Sequence, residues 1–137
     1  MGALLEAVVA LASEPNFATV TTLLADGSPV GTLMWIDTDG DFLLVNTERH
    51  RLKYRNVCRD PRVHILVVDR DDEGRYAAVR GVVEDHIFGS AARAHIDRLA
   101  LRYLGTPFDP SRIVSERVLL RVRPVSQRVR ESAVVVE

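Results

Sequence analysis

FATVTTLLADGSPVGTLMWIDTDGDFLLVNT, residues 17–47, holds three β-branched or aliphatic runs separated by two aspartate–glycine clusters. Residues 17–24 and 30–36 read as strands joined across ADGSP, since Asp-Gly supplies the positive φ that a tight hairpin needs. The second turn, DTDGD at 37–41, leads into a third strand at 42–47, so the segment is an antiparallel meander. Working outward, residues 63–69 and 75–87 are two further strands flanking the acidic turn RDDEG, the longer one with a bend at Gly81. RVLLRVRP at 117–124 is a strand stopped by its proline, and 125–137 supplies an edge strand or an extended tail.

Helices punctuate these strands singly. Leu4, Leu5, Val8, Leu11 and Ala12 share a helix face within residues 3–13, and Pro15 enforces the stop. A short helix from about Leu52 to Arg59 ends before Pro61, whose ring disfavours helical geometry in the residue preceding it. From Ser90, read as the N-cap, Ala92, Ile96, Leu99 and Tyr103 form the face of a helix that ends at Gly105. Six or seven antiparallel strands with three helices form a mainly β, α+β architecture: a small barrel, not a parallel βαβ sheet.

The 137 residues suit a single domain, with an N-terminal helix at 1–14, a barrel core at 17–124 and the strand or tail at 125–137. No run approaches the roughly 18 apolar residues of a membrane span, and the N-terminus has no basic region of the secretory kind. A cytoplasmic protein that spans no membrane is expected. A net charge of −1 argues against nucleic acid as a partner, which requires a broadly basic face. The lone Cys58 excludes an internal disulfide and is expected to be a buried or half-buried helix residue. His50, His64, His86 and His95 have no ligand spacing, so no metal site is expected. No glycine-rich phosphate loop of the dinucleotide-binding kind occurs.

Positive charge is nevertheless concentrated at one place. Residues 46–63, NTERHRLKYRNVCRDPRV, contain the only lysine of the chain, Lys53, with Arg49, Arg51, Arg55 and Arg59 around it. In a continuous helix Arg49/Lys53 and Arg51/Arg55 would each set like charges at i,i+4, costing about 0.2–0.5 kcal/mol per pair. The economical arrangement ends a strand at Thr47, keeps the chain extended through Arg51 and begins a helix near Leu52 or Lys53. Arg51 and Lys53 then aim at a common point beside free helix N–H groups, where a phosphate is favoured by charge and by backbone donors. Asn56, one turn on, can add a neutral donor. From composition and spacing alone, phosphate binding and a solvated basic helix both remain open.

The order DGSPVGTLMWIDTDGDFLLVNT, RLKYRNVCRDPRVHILVVD, RYAAVRGVVE, ALRYLG and VLLRVRP, over about residues 17–124, resembles the split β-barrel flavin and deazaflavin oxidoreductases related to pyridoxamine 5′-phosphate oxidase. The likeness is greatest to the actinobacterial branch that uses coenzyme F420. Its most specific piece is basic-x-Lys-x-x-Asn followed by RDPRV. The resemblance implies a homodimer with the cofactor groove between subunits and hydride transfer between F420 and a small conjugated or unsaturated substrate. FMN is the alternative cofactor, and a flavin-binding protein without turnover the alternative role. It further implies that Arg51, Lys53 and Asn56 hold the cofactor phosphate with Thr47 nearby. Thr32, Met34 and Trp35 would flank the ring, and Tyr76 would approach the pocket, supplied by the partner subunit. No side chain is nominated as acid or base. Arg49 is an additional cation facing either an acidic cofactor tail or solvent.

Overall fold

The computed structural model describes residues 3–131. Three helices and seven strands follow in the order α1 (Glu6–Ser13), β1 (Phe17–Leu23), β2 (Pro29–Trp35), β3 (Asp37–Thr38), β4 (Leu43–Glu48), α2 (Leu52–Arg59), β5 (Arg62–Val68), β6 (Tyr76–Ile87), α3 (Ser90–Leu104) and β7 (Arg117–Arg130), with a 3₁₀ turn at Pro110–Arg112. All pairings are antiparallel, and the strands lie side by side as β2-β1-β5-β6-β7-β4-β3.

That order explains the curvature. β2 and β3 are the two outer strands of the sheet, yet Ile36 alone separates them in the chain. The sheet must therefore wrap until its edges meet at that residue. Leu43 and Leu44 pair with β3, but the remainder of β4, Val45 to Glu48, is hydrogen-bonded only to β7. β2 is likewise bonded only to β1. Beyond Ile36 the two edges diverge, and the barrel is split along one seam.

Alternation places the core. In β1, Ala18, Val20 and Thr22 point inward; in β5, Val63, Ile65 and Val67 do the same. Val79 and Ala77 from β6, Val45 from β4 and Leu120 and Val122 from β7 complete the interior. Val8, Leu11 and Ala12 of α1 join this core. Each fully buried Leu, Ile or Val contributes about 1.5–3 kcal/mol, far more than any local propensity difference. α3 forms a second, smaller apolar contact through Ala92 against Leu44 and Leu119.

Gly81, the expected bend of β6, lies close against β7. A Cβ at Gly81 would stand 2.6 Å from Val122 Cγ1 and 2.8 Å from the Arg123 carbonyl oxygen, so the close approach of β6 to β7 requires glycine. The register jumps there: Arg80 faces Ser126 and Gly81 faces Pro124, leaving Val125 as the extra residue of a bulge. This corrects the expected stop at Pro124. A proline next to a bulge need not donate to the ladder, and β7 continues to Arg130. The part of the expected tail from 132 to 137 lies outside the described residues. Two smaller corrections concern Cys58, which is exposed on α2, and α3, whose N-cap is Gly89 in place of Ser90. Among the described residues no helix is long and apolar enough to cross a membrane.

Candidate functional site

The open seam is filled by a groove of about 320 Å³. One wall is β2, through Leu33, Met34 and Trp35; another is β4, through Asn46 and Thr47. Ile96 and Leu99 of α3 and Phe108 from the following loop enclose the apolar part, and Arg51, Lys53, Arg112 and Arg117 bring four cations to it. Edge strands carry unpaired N–H and C=O groups, so β2 and the end of β4 present hydrogen-bonding backbone beside this space.

The cationic side is built by the corner after β4. Arg51 is extended, with φ −71° and ψ 146°, and α2 begins at Leu52. The Arg51 side chain does not cap that helix, which leaves first-turn N–H groups without a side-chain acceptor. Lys53 is half-buried, and its ammonium is held below the ordinary lysine value first by burial and then by the charges of Arg51 and Arg117. Neither Arg51 nor Lys53 has an ion-pair partner among the described residues.

Arg117 is held differently. Its Nη1 donates to Glu48 Oε2 at 3.1 Å and its Nε donates to Asn46 Oδ1 at 2.9 Å, while the guanidinium lies 5.1 Å from the centre of the Phe108 ring. Glu48 is almost fully buried. Burial would raise its carboxyl, but the Ser115 and Val114 N–H groups, at 2.7 and 2.8 Å, and Arg117 keep it below the usual range. The same carboxylate thus fixes Arg117 and ties down the loop that carries Phe108 and Arg112. Of the four cations around the groove, Arg117 alone has a carboxylate partner among the described residues.

Trp35 stacks on Tyr103, centroids 5.1 Å apart and planes 12° off parallel, and meets Phe108 edge-on. The Tyr103 hydroxyl accepts from the Ile36 N–H at 3.0 Å and donates to the Asn16 carbonyl. This pins α3 across the point where β2 passes into β3. Tyr103 is a packing residue that orients Trp35.

Of the residues singled out from sequence, Arg51, Lys53, Thr47, Met34 and Trp35 come together in the groove. Thr32 lies two residues before Met34 on β2, and its Oγ1 is buried without a hydrogen-bond partner. Asn56 turns away: it is buried, donates to Thr22 Oγ1 at 3.0 Å and accepts from Arg59 at 2.9 Å, bracing α2 against β1. Tyr76 lines a separate hollow with Arg80, Arg128 and Arg130 on the outer face of the sheet. Arg49 pairs with Glu116 at 3.2 Å and sits over the Phe88 ring, so it does not line the groove. Sequence reasoning did not find Arg117, Arg112, Asn46 or Phe108. Arg117 was reachable: if the last strand runs antiparallel to the third, its first residue stands opposite the end of that third strand, and the observed register pairs Glu48 with Arg117.

Residues 4–130 match the family model described as pyridoxamine 5′-phosphate oxidase. Among solved structures, the chain is similar to one described as an F420 reductase, with 33% identity, 91% of this chain and 98% of that chain covered and a TM-score of 0.80. It is also similar to a conserved hypothetical protein from Mycobacterium tuberculosis, with 26% identity, 95% and 86% covered and a TM-score of 0.71. General Stress Protein 26 from Bacillus anthracis shares the fold at 22% identity, 93% of each chain covered and a TM-score of 0.69. No curated protein matches significantly.

Proposed function

Because the chain belongs to the pyridoxamine 5′-phosphate oxidase family of split-barrel, flavin-type oxidoreductases, we propose that its seam groove holds coenzyme F420 and that the protein reduces a small conjugated or unsaturated substrate with it. The observation that carries this reading is Lys53: a half-buried ammonium beside Arg51 and Arg117, with no carboxylate of its own among the described residues. Concentrated like charge is unfavourable unless an anion enters. A phosphoester meets that requirement, and charge-assisted hydrogen bonds contribute roughly 1.5–3 kcal/mol each.

The rest of the groove fits a flat, polar-edged ring. Apolar side chains of β2 and α3 offer stacking area, and the unpaired backbone of β2 offers donors and acceptors for ring heteroatoms. The partnerless Thr32 hydroxyl on the same strand supports this. When bound, the deazaflavin supplies the hydride chemistry. The protein's part is to anchor the phosphoester with Arg51 and Lys53, to set the plane of the ring against Met34 and Trp35, and to exclude water with Phe108. No catalytic side chain is assigned. The 33% identity to a structure described as an F420 reductase supports the deazaflavin over FMN.

The expected assembly is a homodimer. Phe17 and Leu33, respectively 40% and 69% exposed, line the groove and also lie on the outer sheet face, so the groove opens onto an uncovered surface. A second copy laid on that face would close it, and would carry its own Tyr76 there. FMN remains the second reading, since the phosphate contacts serve either cofactor and the matched family is described by a pyridoxamine 5′-phosphate oxidase. Titrating the purified protein with each cofactor and following ring fluorescence decides between them. Micromolar binding of F420, with reduction of an enone or quinone by the reduced cofactor, is the expected result; binding of FMN alone would reject it.

A further inference from the structure

We propose that Arg117 is a third anion-binding cation of the groove, and that Asp37, His95 and Asn46 form a buried chain whose work is to aim it. The proposal rests on the reading above only for the identity of the anion.

The Arg117 side chain is 10% exposed. Glu48 holds Nη1, Asn46 holds Nε and Phe108 covers a face of the guanidinium. Nη2 has no acceptor among the described residues, and Arg117 lines the groove. A guanidinium fixed at two of its three nitrogens is preorganised to give the third to a ligand oxygen.

The chain behind it has a single consistent direction. Arg117 can only donate, so the Asn46 atom facing it must be the carbonyl oxygen, Oδ1. The Asn46 Nδ2 then donates to the Ala92 carbonyl at 2.9 Å and stands 3.0 Å from His95 Nδ1. That nitrogen must accept. The His95 proton is therefore on Nε2, which donates to Asp37 Oδ2 at 3.0 Å. Asp37 in turn receives Arg102 Nη2 on Oδ1 at 2.9 Å. Arg102, Asp37, His95, Asn46, Arg117 and Glu48 thus form one hydrogen-bonded series from β3 through α3 and β4 to the start of β7. His95 is fully buried and Asn46 is 6% exposed. Buried polar series of this kind give little net stability over apolar packing, whereas they do determine orientation. With Asp37 fixing the His95 tautomer, Asn46 can present only its oxygen to Arg117.

The test is a double-mutant cycle read by ligand affinity, with F420 and FMN followed by ring fluorescence and inorganic phosphate by ³¹P line broadening. Arg117→Gln is expected to weaken binding about tenfold or more, the loss of one charge-assisted contact. Asn46→Leu should weaken it roughly three- to tenfold in the native background and not at all when Arg117 is already Gln, because its effect passes through that residue. Should Asn46→Leu fail to fold, His95→Phe, a ring of similar shape without the Nδ1 acceptor, must show the same dependence on Arg117. Additive losses, or an Arg117→Gln protein with native affinity, overturn the proposal. A protein that binds phosphate in an Arg117-dependent way but neither ring cofactor upholds this inference and refutes the oxidoreductase reading. Ring binding indifferent to Arg117 does the reverse, and absence of all three ligands refutes both.

Discussion

Two corners of the barrel gather arginine and treat it in opposite ways. At the β5–β6 turn, Arg75 donates to Asp69 at 2.7 Å and to Glu14 at 3.0 Å, so its charge is matched inside the protein. At the β4–α2 corner, Arg51 and Lys53 line a groove without a carboxylate partner among the described residues, and Arg117 shares Glu48 with the loop N–H groups. The first arrangement joins α1 to the turn and is complete. The second carries an electrostatic cost that a bound anion would remove. Charge left unmatched in a half-buried place marks a binding function more clearly than charge alone.

The largest effect should come from emptying the second corner. Arg51→Ala with Lys53→Ala is expected to weaken F420 binding by about 3 kcal/mol or more, the sum of two charge-assisted contacts, without lowering the melting temperature. Fluorescence titration beside thermal unfolding separates the two quantities. Equal affinity in the double variant would break the contrast and remove both residues from the site. The matched corner should behave inversely: Arg75→Ala is expected to cost roughly 1–3 kcal/mol of stability in a urea titration and leave cofactor affinity unchanged.

Much of this contrast was legible in the sequence, and the limits have physical causes. The corner was readable because its determinants are local: β-branched residues end at Thr47, Pro61 limits the helix, and the like-charge pairs Arg49/Lys53 and Arg51/Arg55 make a continuous helix unfavourable. The strands were readable because period-two burial leaves a direct trace in β1 and β5. Arg117 was not seen because its neighbour Glu48 lies 69 residues earlier, and only strand pairing brings them together. Asn56 shows the opposite limit. Helical spacing places it one turn beyond Lys53, but the packing of α2 on β1 gives its amide a partner in Thr22. Pro124 reads as a strand end until the register shows the bulge that accommodates it. The acidic residue of the buried chain, Asp37, read as part of an aspartate–glycine turn; β3 is two residues long and leaves no periodicity to detect.

Asp37 sharpens the comparison under acid. Burial favours its neutral form, but His95, the Thr38 N–H and Arg102 outweigh burial and hold its carboxyl below the ordinary value. A carboxylate depressed in the folded state contributes stability that is present above the unfolded value of about 3.9 and lost as pH falls through the folded one. Asp37→Asn should therefore flatten the acid limb of the stability curve below about pH 4, measured by thermal unfolding. An acid limb identical to that of the native protein would show that the chain is not charged at this end.

The smallest effect has the opposite sign and isolates the unmatched corner. Lys53 has a folded value lowered by burial and by its cationic neighbours. Between that value and the unfolded lysine value of about 10.4, the unfolded chain binds more protons, so stability rises with pH across the window. Lys53→Met should remove this rise and, near neutral pH, stabilise the ligand-free protein by a few tenths of a kcal/mol, roughly the scale of a relieved like-charge pair. Saturating phosphate should abolish the native protein's rise as well, since an anion at the corner favours the charged ammonium. The informative quantity is the difference between native and Lys53→Met curves, because contributions common to both cancel. Parallel curves, with and without phosphate, would mean that the Lys53 ammonium is solvated in the folded protein and that the two corners differ in composition but not in electrostatic cost.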